Sequence, residues 1–214
     1  MDHILNIKDQ IQEVYNIFSI INEGNAILFL GAGASIGEKK YLSKEIIELY
    51  EEYLGKQIGE DDLTKFVDII SADPNFLRNH FDDEIEKMLK KLRHTEEHKI
   101  LISIPWREII TTNYDFLIEQ AYDEILSSIG STYDIIPIRD VNSYNYFPSN
   151  NEIKYIKLNG CISDKGRYPL VLSKDDFNNR KSFYKVVLNN LKNLSNKVIF
   201  ITIGYSFNDP SSVE

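Results

Sequence analysis

The feature that most constrains this chain is a set of short apolar runs that stop at glycine or at small polar residues. Four such endings occur, and their sequences are GAGAS at 31–35, TNYD at 112–115, NG at 159–160 and GYS at 204–206. Short runs that are apolar throughout are typical of parallel strands buried on both faces. Because the carboxyl ends of parallel strands meet at one edge of a sheet, we expect the four endings to converge on one site.

Helical spacing of apolar residues separates these runs. It predicts helices near residues 4–21, 43–54, 62–71, 82–92, 116–126 and 175–194. Residues 142–151 are rich in asparagine and predict a long polar loop. The alternation of strands and helices predicts an α/β fold, with a mostly parallel sheet and helices on both faces.

Composition excludes several classes of function. The 214 residues suit one domain, and a net charge of -9 opposes binding to a nucleic acid backbone. The basic stretch 87–94 follows several acidic residues and is interpreted as a solvated helix face. The single cysteine, Cys161, excludes an internal disulfide or a cysteine metal cluster, and we expect no metal. The first ten residues contain acids where a signal peptide carries positive charge, and no apolar run is long enough to cross a membrane. We therefore expect a cytoplasmic protein that does not bind a membrane.

The GAGAS loop has the physical properties of a nucleotide loop, because glycine lets the backbone approach a pyrophosphate and the amides that follow can face its charge. The match to G-x-G-x-x-G is partial, since Ile36 occupies the third glycine position and Gly37 comes one residue late. No G-K-[ST] follows, so it is not a Walker loop. A tight turn without a ligand is the alternative.

The other endings also allow two interpretations. Asn113 can hold a water or a sugar hydroxyl and Asp115 can stabilise positive charge, yet either can simply cap the next helix. Asn159 precedes a glycine, as in many turns. Ser206 and Asp209 offer a hydroxyl and a carboxylate for sugar contacts, or belong to an ordinary loop.

In this order, GAGAS, TTNYD, KLNG and GYS resemble the motifs of the Sir2 (sirtuin) fold, and are similar to the SIR2-like domains of bacterial anti-phage defence proteins. The resemblance covers about residues 27–209. It implies a six-stranded Rossmann-like sheet that binds NAD, a helical insertion over about residues 38–104, and cleavage of NAD⁺ to nicotinamide and ADP-ribose. Protein deacetylation is not expected, because the Gly-Ile-Pro-x-Phe-Arg stretch and the four zinc cysteines are missing.

The resemblance also implies which residues form the site. Phosphates would lie against Ala32, Gly33 and Ser35, the nicotinamide ribose would face Asn113 and Asp115, and the adenosine half would touch Gly204 and Ser206. Further implied contacts to NAD are Gly31, Thr112 and Asp209. The implied catalytic positions are Asn113, Asp115 and Asn159.

Asn159 is the main departure, because the family has its catalytic histidine at this place in Lys-Leu-His-Gly. The four histidines of the chain, His3, His80, His94 and His98, lie outside the motifs. An amide cannot accept the proton, and loss of a general base typically costs about 10²- to 10⁴-fold in rate. Asn159 is therefore an introduced change, a natural change in a weak NAD⁺ hydrolase, or the mark of a non-catalytic module that senses NAD or ADP-ribose.

Partners follow from the resemblance. It leads us to expect a homo-oligomer and a longer protein, with a further domain or partner that senses phage after Glu214. The first helix carries an apolar stripe that either covers its own core or packs on a neighbouring subunit. The residues of the stripe are Ile4, Ile7, Ile11, Val14, Phe18 and Ile21. NAD and NADP stay equally open, because the acidic residues at the expected distance from the loop, Glu48, Glu51 and Glu52, fall in a predicted helix.

Overall fold

The computed structural model describes residues 7–35, 43–128 and 133–205, with side chains from residue 15 onward. One sheet runs through this part of the chain, all of its strands are parallel, and their order is β3-β4-β2-β1-β5. The strands are β1 (Ala26–Leu30), β2 (Glu108–Thr111), β3 (Asp134–Ile138), β4 (Glu152–Lys157) and β5 (Ile199–Ile203). The predicted α/β fold with a parallel sheet is confirmed. Within the described ranges the sheet has five strands, one fewer than the family resemblance implies.

The helices of the described chain are α1 (Ile7–Asn22), α2 (Ser43–Leu54), α3 (Leu63–Ile70), α4 (Arg78–Leu89), α5 (Glu96–Ile102), α6 (Leu117–Ser128), α7 (Val141–Tyr144) and α8 (Lys174–Leu194). Local caps explain several starts. The Asp62 carboxylate accepts the Lys65 amide at 2.9 Å where α3 begins, and Ser173 and Asp176 form a reciprocal capping box at the start of α8.

Helices cover both faces of the sheet, as predicted. One face packs against α1, α5 and α6, whose buried residues include Ile21, Ile102 and Ile118. The other face packs against α7 and α8 through Tyr144 and Phe183. Strand order explains this division, because right-handed crossovers that move along the sheet in opposite directions place their helices on opposite faces.

Helices α2, α3 and α4, between β1 and β2, form a third apolar core with the turn that follows β4. Leu117 and Ile162, which follow β2 and β4, belong to the same core. Arg78 of α4 reinforces the contact, because its guanidinium donates to Asp176 at 2.8 Å and to the Leu170 carbonyl at 2.7 Å. The three helices are therefore held beside the carboxyl edge of the sheet.

Two features differ from the sequence prediction. The predicted polar loop is wrong at its start, because α7 begins at Val141, where the Asp140 carboxylate accepts the Ser143 amide at 2.7 Å. Strand β3 is also present although its sequence contains Pro137. It is an edge strand, and a proline that cannot donate to a neighbour is tolerated there.

The apolar stripe of helix α1 is only partly buried in the described residues. Ile21 is 7% exposed and packs on the sheet, as expected if the helix covers its own core, whereas Phe18 is 58% exposed. The earlier members of the stripe, Ile4, Ile7, Ile11 and Val14, lie outside the described side chains. Across the described ranges, no helix has both the length and the apolarity needed to cross a bilayer.

Candidate functional site

Three side chains from two strand endings are joined by hydrogen bonds at the carboxyl edge of the sheet. The Ser35 hydroxyl donates to Asp115 Oδ2 at 2.6 Å, and Asn113 Nδ2 donates to Ser35 Oγ at 2.8 Å. Asn113 Nδ2 also donates to the Gly31 carbonyl at 2.9 Å. We call Ser35, Asn113 and Asp115 the edge cluster. It brings together residues about 80 positions apart that the sequence predicted to share a site.

The register of β1 and β2 places this cluster. Leu30 pairs with Thr111, whose hydroxyl donates to the Leu30 carbonyl at 2.9 Å and accepts the Asn113 amide at 3.0 Å. The Thr112 amide also donates to the Leu30 carbonyl, at 3.4 Å. The first turn after β2 is therefore tied to the end of β1, which fixes where Asn113 lies.

Asp115 caps the next helix, which is one of the two interpretations of the TNYD sequence, and it also contacts Ser35. Its Oδ1 accepts the Leu117 amide at 3.1 Å, so it caps α6, while Oδ2 accepts the Ser35 hydroxyl. The side chain is only 7% exposed. Because both N–H groups of Asn113 are used inside the protein, its amide oxygen is the atom that it can offer to a ligand.

The glycines of the GAGAS loop pack directly against the end of β5. A Cβ atom on Gly33 would lie 2.7 Å from Gly204 Cα, and one on Gly31 would lie 2.6 Å from Tyr205 Cα. Gly204 has φ +67, a conformation that favours glycine. Glycine is thus required at all three positions by the contact of backbone with backbone, before any ligand is considered.

Several loop amides have partners inside the protein. Gly31 donates to the Ile203 carbonyl at 2.9 Å, Gly33 to the Gly204 carbonyl at 2.8 Å, and Ala34 to the Gly31 carbonyl at 2.9 Å. These bonds close the loop over the ends of β1 and β5. The tight-turn interpretation therefore accounts for part of the GAGAS motif.

A buried ammonium group lies directly below the cluster. Lys157, at the end of β4, is 0% exposed, and its Nζ donates to the main-chain carbonyl of Asp115. It also lies 2.9 Å from Glu119 Oε1 and 3.2 Å from Cys161 Sγ. Glu119 accepts from Arg139 at 3.2 Å as well. Paired charges under the turn of residues 113–115 hold that turn in place.

Asn159 follows β4 and is 9% exposed. Its side-chain oxygen accepts the hydroxyl of Tyr184 from α8, and its carbonyl accepts the Val171 amide at 2.9 Å. The next residue, Gly160, has φ +90 and packs against the carbonyl of Tyr168, so the turn requires glycine. Where the family resemblance implies a histidine, the chain has an amide bound by the Tyr184 hydroxyl.

His98 of α5 lies against the GAGAS loop. Its Nε2 is 3.0 Å from the Ala34 carbonyl, and its Nδ1 accepts the Thr95 amide at 3.0 Å. No sequence pattern points to His98, because it lies outside every motif and 64 positions from its partner. Lys157 and Tyr184 also lacked a predicted role, although Lys157 belongs to the KLNG motif.

Not every predicted site residue is described. The structure brings together Gly31, Ala32, Gly33, Ser35, Thr112, Asn113, Asp115 and Gly204, with Asn159 at the end of the neighbouring strand β4. Ser206, Asp209, Ile36 and Gly37 lie outside the described residues. Glu51 was one of the acidic residues at the expected distance for a ribose contact, and its carboxylate accepts the amides of Ile58 and Gly59 after α2. In the described ranges, no group of three or more His, Cys, Asp or Glu side chains is placed to hold a metal.

The arrangement combines a carboxylate, an amide oxygen and a serine hydroxyl beside a tight glycine loop. A carboxylate in this position can stabilise positive charge that develops on a sugar, and the amide oxygen can accept a hydrogen bond from a sugar hydroxyl. Such chemistry suits a bound nucleotide, since ligands of open parallel sheets bind at this edge.

Comparison with known proteins gives consistent matches. Over 213 residues the chain is 27% identical to the NAD(+) hydrolase ThsA of Bacillus cereus (strain MSX-D12), a match that covers 97% of this chain and 41% of that protein. The NAD(+) hydrolase ThsA of Cytobacillus dafuensis is 26% identical over 215 residues, covering 98% of this chain and 41% of the relative. The protein of that name from Enterococcus faecium is 26% identical over 194 residues, covering 89% and 39%.

The chain therefore spans about two fifths of the length of these curated relatives. A family model described as a SIR2-like domain matches residues 107–214, which include the endings of β2, β4 and β5. This chain belongs to the SIR2-like domain family.

Proposed function

We propose that this domain binds NAD⁺ at the carboxyl edge of the sheet and hydrolyses it to nicotinamide and ADP-ribose. The observation that carries the proposal is the edge cluster, which lies beside the glycine loop in a chain whose relatives are named NAD(+) hydrolases. In the proposed complex, Ala32 and Ser35 meet the phosphates, Gly204 and the residues after it meet the adenosine half, and the nicotinamide ribose faces the cluster.

The chemistry is compatible with these residues. Cleavage of the nicotinamide–ribose bond develops positive charge on the ribose, as in glycoside hydrolysis. The Asp115 carboxylate is held by Ser35 and by the start of α6, so it can stabilise that charge without moving. The Asn113 oxygen accepts a ribose hydroxyl. Water adds to the ribose carbon, nicotinamide leaves with the electron pair of the broken bond, and one proton is released.

A second function is favoured by Asn159. Its amide oxygen is occupied by the Tyr184 hydroxyl, and an amide cannot take the proton from the attacking water. A site that binds well and reacts slowly suits a module that senses NAD or ADP-ribose. The two functions share the binding site and differ only in turnover.

The relatives extend beyond the length of this chain, and the role of the whole protein is a further part of the proposal. By the resemblance to defence proteins, a longer cytoplasmic protein would assemble as a homo-oligomer and deplete NAD⁺ when a sensing domain or partner detects phage.

Nicotinamide release from NAD⁺ separates the two functions. It is measured for the parent chain, for Asn159→His and for Asn145→His, which adds the same imidazole in an exposed loop. We expect Asn159→His to turn over about 10²- to 10⁴-fold faster than the other two, since it restores a general base. If all three bind NAD⁺ and none releases nicotinamide, the sensing function is supported instead. Failure of all three to bind NAD⁺ would refute both.

A further inference from the structure

His98 is a buried histidine whose two ring nitrogens both contact the backbone. His98 is 6% exposed and projects from α5 onto the GAGAS loop, whose amides of Gly31 and Gly33 bind the end of β5. Nδ1 lies 3.0 Å from the Thr95 amide nitrogen, and Nε2 lies 3.0 Å from the Ala34 carbonyl oxygen. A capping histidine needs only the first of these contacts, so the second calls for an explanation.

The two contacts define the protonation state of the ring. Nδ1 lies 3.0 Å from both the amide nitrogen and the hydroxyl oxygen of Thr95, and because a backbone amide can only donate, we assign the lone pair to Nδ1. The proton of the neutral ring is then on Nε2, where it donates to the Ala34 carbonyl. Burial lowers the pKa of His98, which favours this neutral form.

The Ala34 carbonyl lies in the peptide that joins Ala34 to Ser35. Fixing this peptide fixes the backbone from which the Ser35 hydroxyl reaches Asp115 at 2.6 Å and accepts from Asn113 at 2.8 Å. The amide of Ala34 is itself bound to the Gly31 carbonyl at 2.9 Å. His98 therefore completes the set of hydrogen bonds that determines where Ser35 lies.

We propose that His98 is a positioning residue for the NAD⁺ site: its Nε2–H holds the Ala34 carbonyl, so that the glycine loop and Ser35 are preformed for the substrate. The inference rests on the proposed function for its effect on NAD⁺, but its effect on the loop is independent of any ligand. A preformed loop binds more tightly because less ordering is needed when the ligand arrives.

Two substitutions separate hydrogen bonding from packing. His98→Gln keeps an N–H donor at the place of Nε2, whereas His98→Met fills similar space without a donor. His94→Gln is the matched control, because His94 is a neighbouring histidine that pairs with Glu124 and does not contact the loop. NAD⁺ affinity of the folded chain is measured by calorimetry, and amide hydrogen exchange is followed at Gly33 and Ala34.

We expect His98→Met to bind NAD⁺ about tenfold more weakly and to exchange the two loop amides about tenfold faster, since the hydrogen bond to the Ala34 carbonyl is lost. His98→Gln and the control should stay within about threefold of the parent chain. Equal affinity and equal exchange in His98→Met would overturn the proposal, as would a His98→Gln variant that behaves like His98→Met. If no chain binds NAD⁺, the proposed function fails while the exchange rates still decide the role of His98.

Discussion

Replacing Gly204 with alanine tests whether the glycine loop depends on the end of β5. Gly204 has φ +67, and a Cβ there would overlap the Ala34 nitrogen and lie 2.7 Å from Gly33 Cα. The loop and the strand end cannot both keep their places, so the hydrogen bond from the Gly33 amide to the Gly204 carbonyl should be lost.

The magnitude follows from two contributions. Alanine in the left-handed region costs about 1–2 kcal/mol wherever it occurs. At Gly204 the displaced backbone also loses the hydrogen bond from the Gly33 amide to the Gly204 carbonyl, which costs about 0.5–1.5 kcal/mol more. Gly55 is the matched control, because it has φ +61 and nothing within 4 Å of its added Cβ, so only the first contribution applies.

Urea denaturation of Gly204→Ala, Gly55→Ala and the parent chain measures this difference. We expect the free energy of unfolding to fall by about 1.5–3.5 kcal/mol for Gly204→Ala and by about 1–2 kcal/mol for Gly55→Ala. NAD⁺ binding should be lost in the first variant and kept in the second. Equal losses of stability in the two variants would refute the argument that this glycine is required by backbone contact.

Two further substitutions address buried charges. Lys157→Met removes a positive charge beside Glu119 and the donor to the Asp115 carbonyl. Urea denaturation should show that the free energy of unfolding falls by about 3 kcal/mol. A fall below about 1 kcal/mol would contradict the role given to this lysine. Burial raises the pKa of Glu108 above its usual value of 4.5, so the parent chain should lose stability relative to Glu108→Gln as pH rises through that raised pKa. Unfolding curves of both chains at about pH 5 and about pH 8 check this. If the free energy of unfolding changes equally with pH in the two chains, Glu108 does not cause the pH dependence.

The sheet and the loops at its carboxyl edge could be predicted from local sequence, because a strand buried on both faces must be apolar and must stop where the chain turns. The run that became β1 carries that signal together with the glycine that follows it. The equally apolar run at β5 predicts a buried strand and is wrong in this respect, because β5 lies at the edge of the described sheet, where Phe200 is 44% exposed. Strand β3 carries a weaker signal, since its edge position leaves half of it solvated and admits Pro137. Short elements such as α5 depend on tertiary packing more than on periodicity.

Contacts between distant segments could not be predicted. The sequence places Gly33 in a nucleotide-like loop, but only the structure shows that its amide donates to Gly204. In the same way, a histidine outside the motifs reaches Ala34 because α5 packs beside the loop. The ending of β2 was partly predictable, since Asp115 caps the next helix as one interpretation of the sequence proposed, whereas its hydrogen bond with Ser35 could not be predicted.

Binding of NAD⁺ by the folded chain tests the central claim most directly, because a hydrolase and a sensor both require it. Calorimetry compares the parent chain with Asn113→Ala and with Asn190→Ala, a half-buried asparagine that donates to Glu108 near the opposite edge of the sheet. The account predicts equal affinity for the parent chain and Asn190→Ala, and binding at least about tenfold weaker for Asn113→Ala. Equal binding by all three chains, or no binding by the parent, would contradict it.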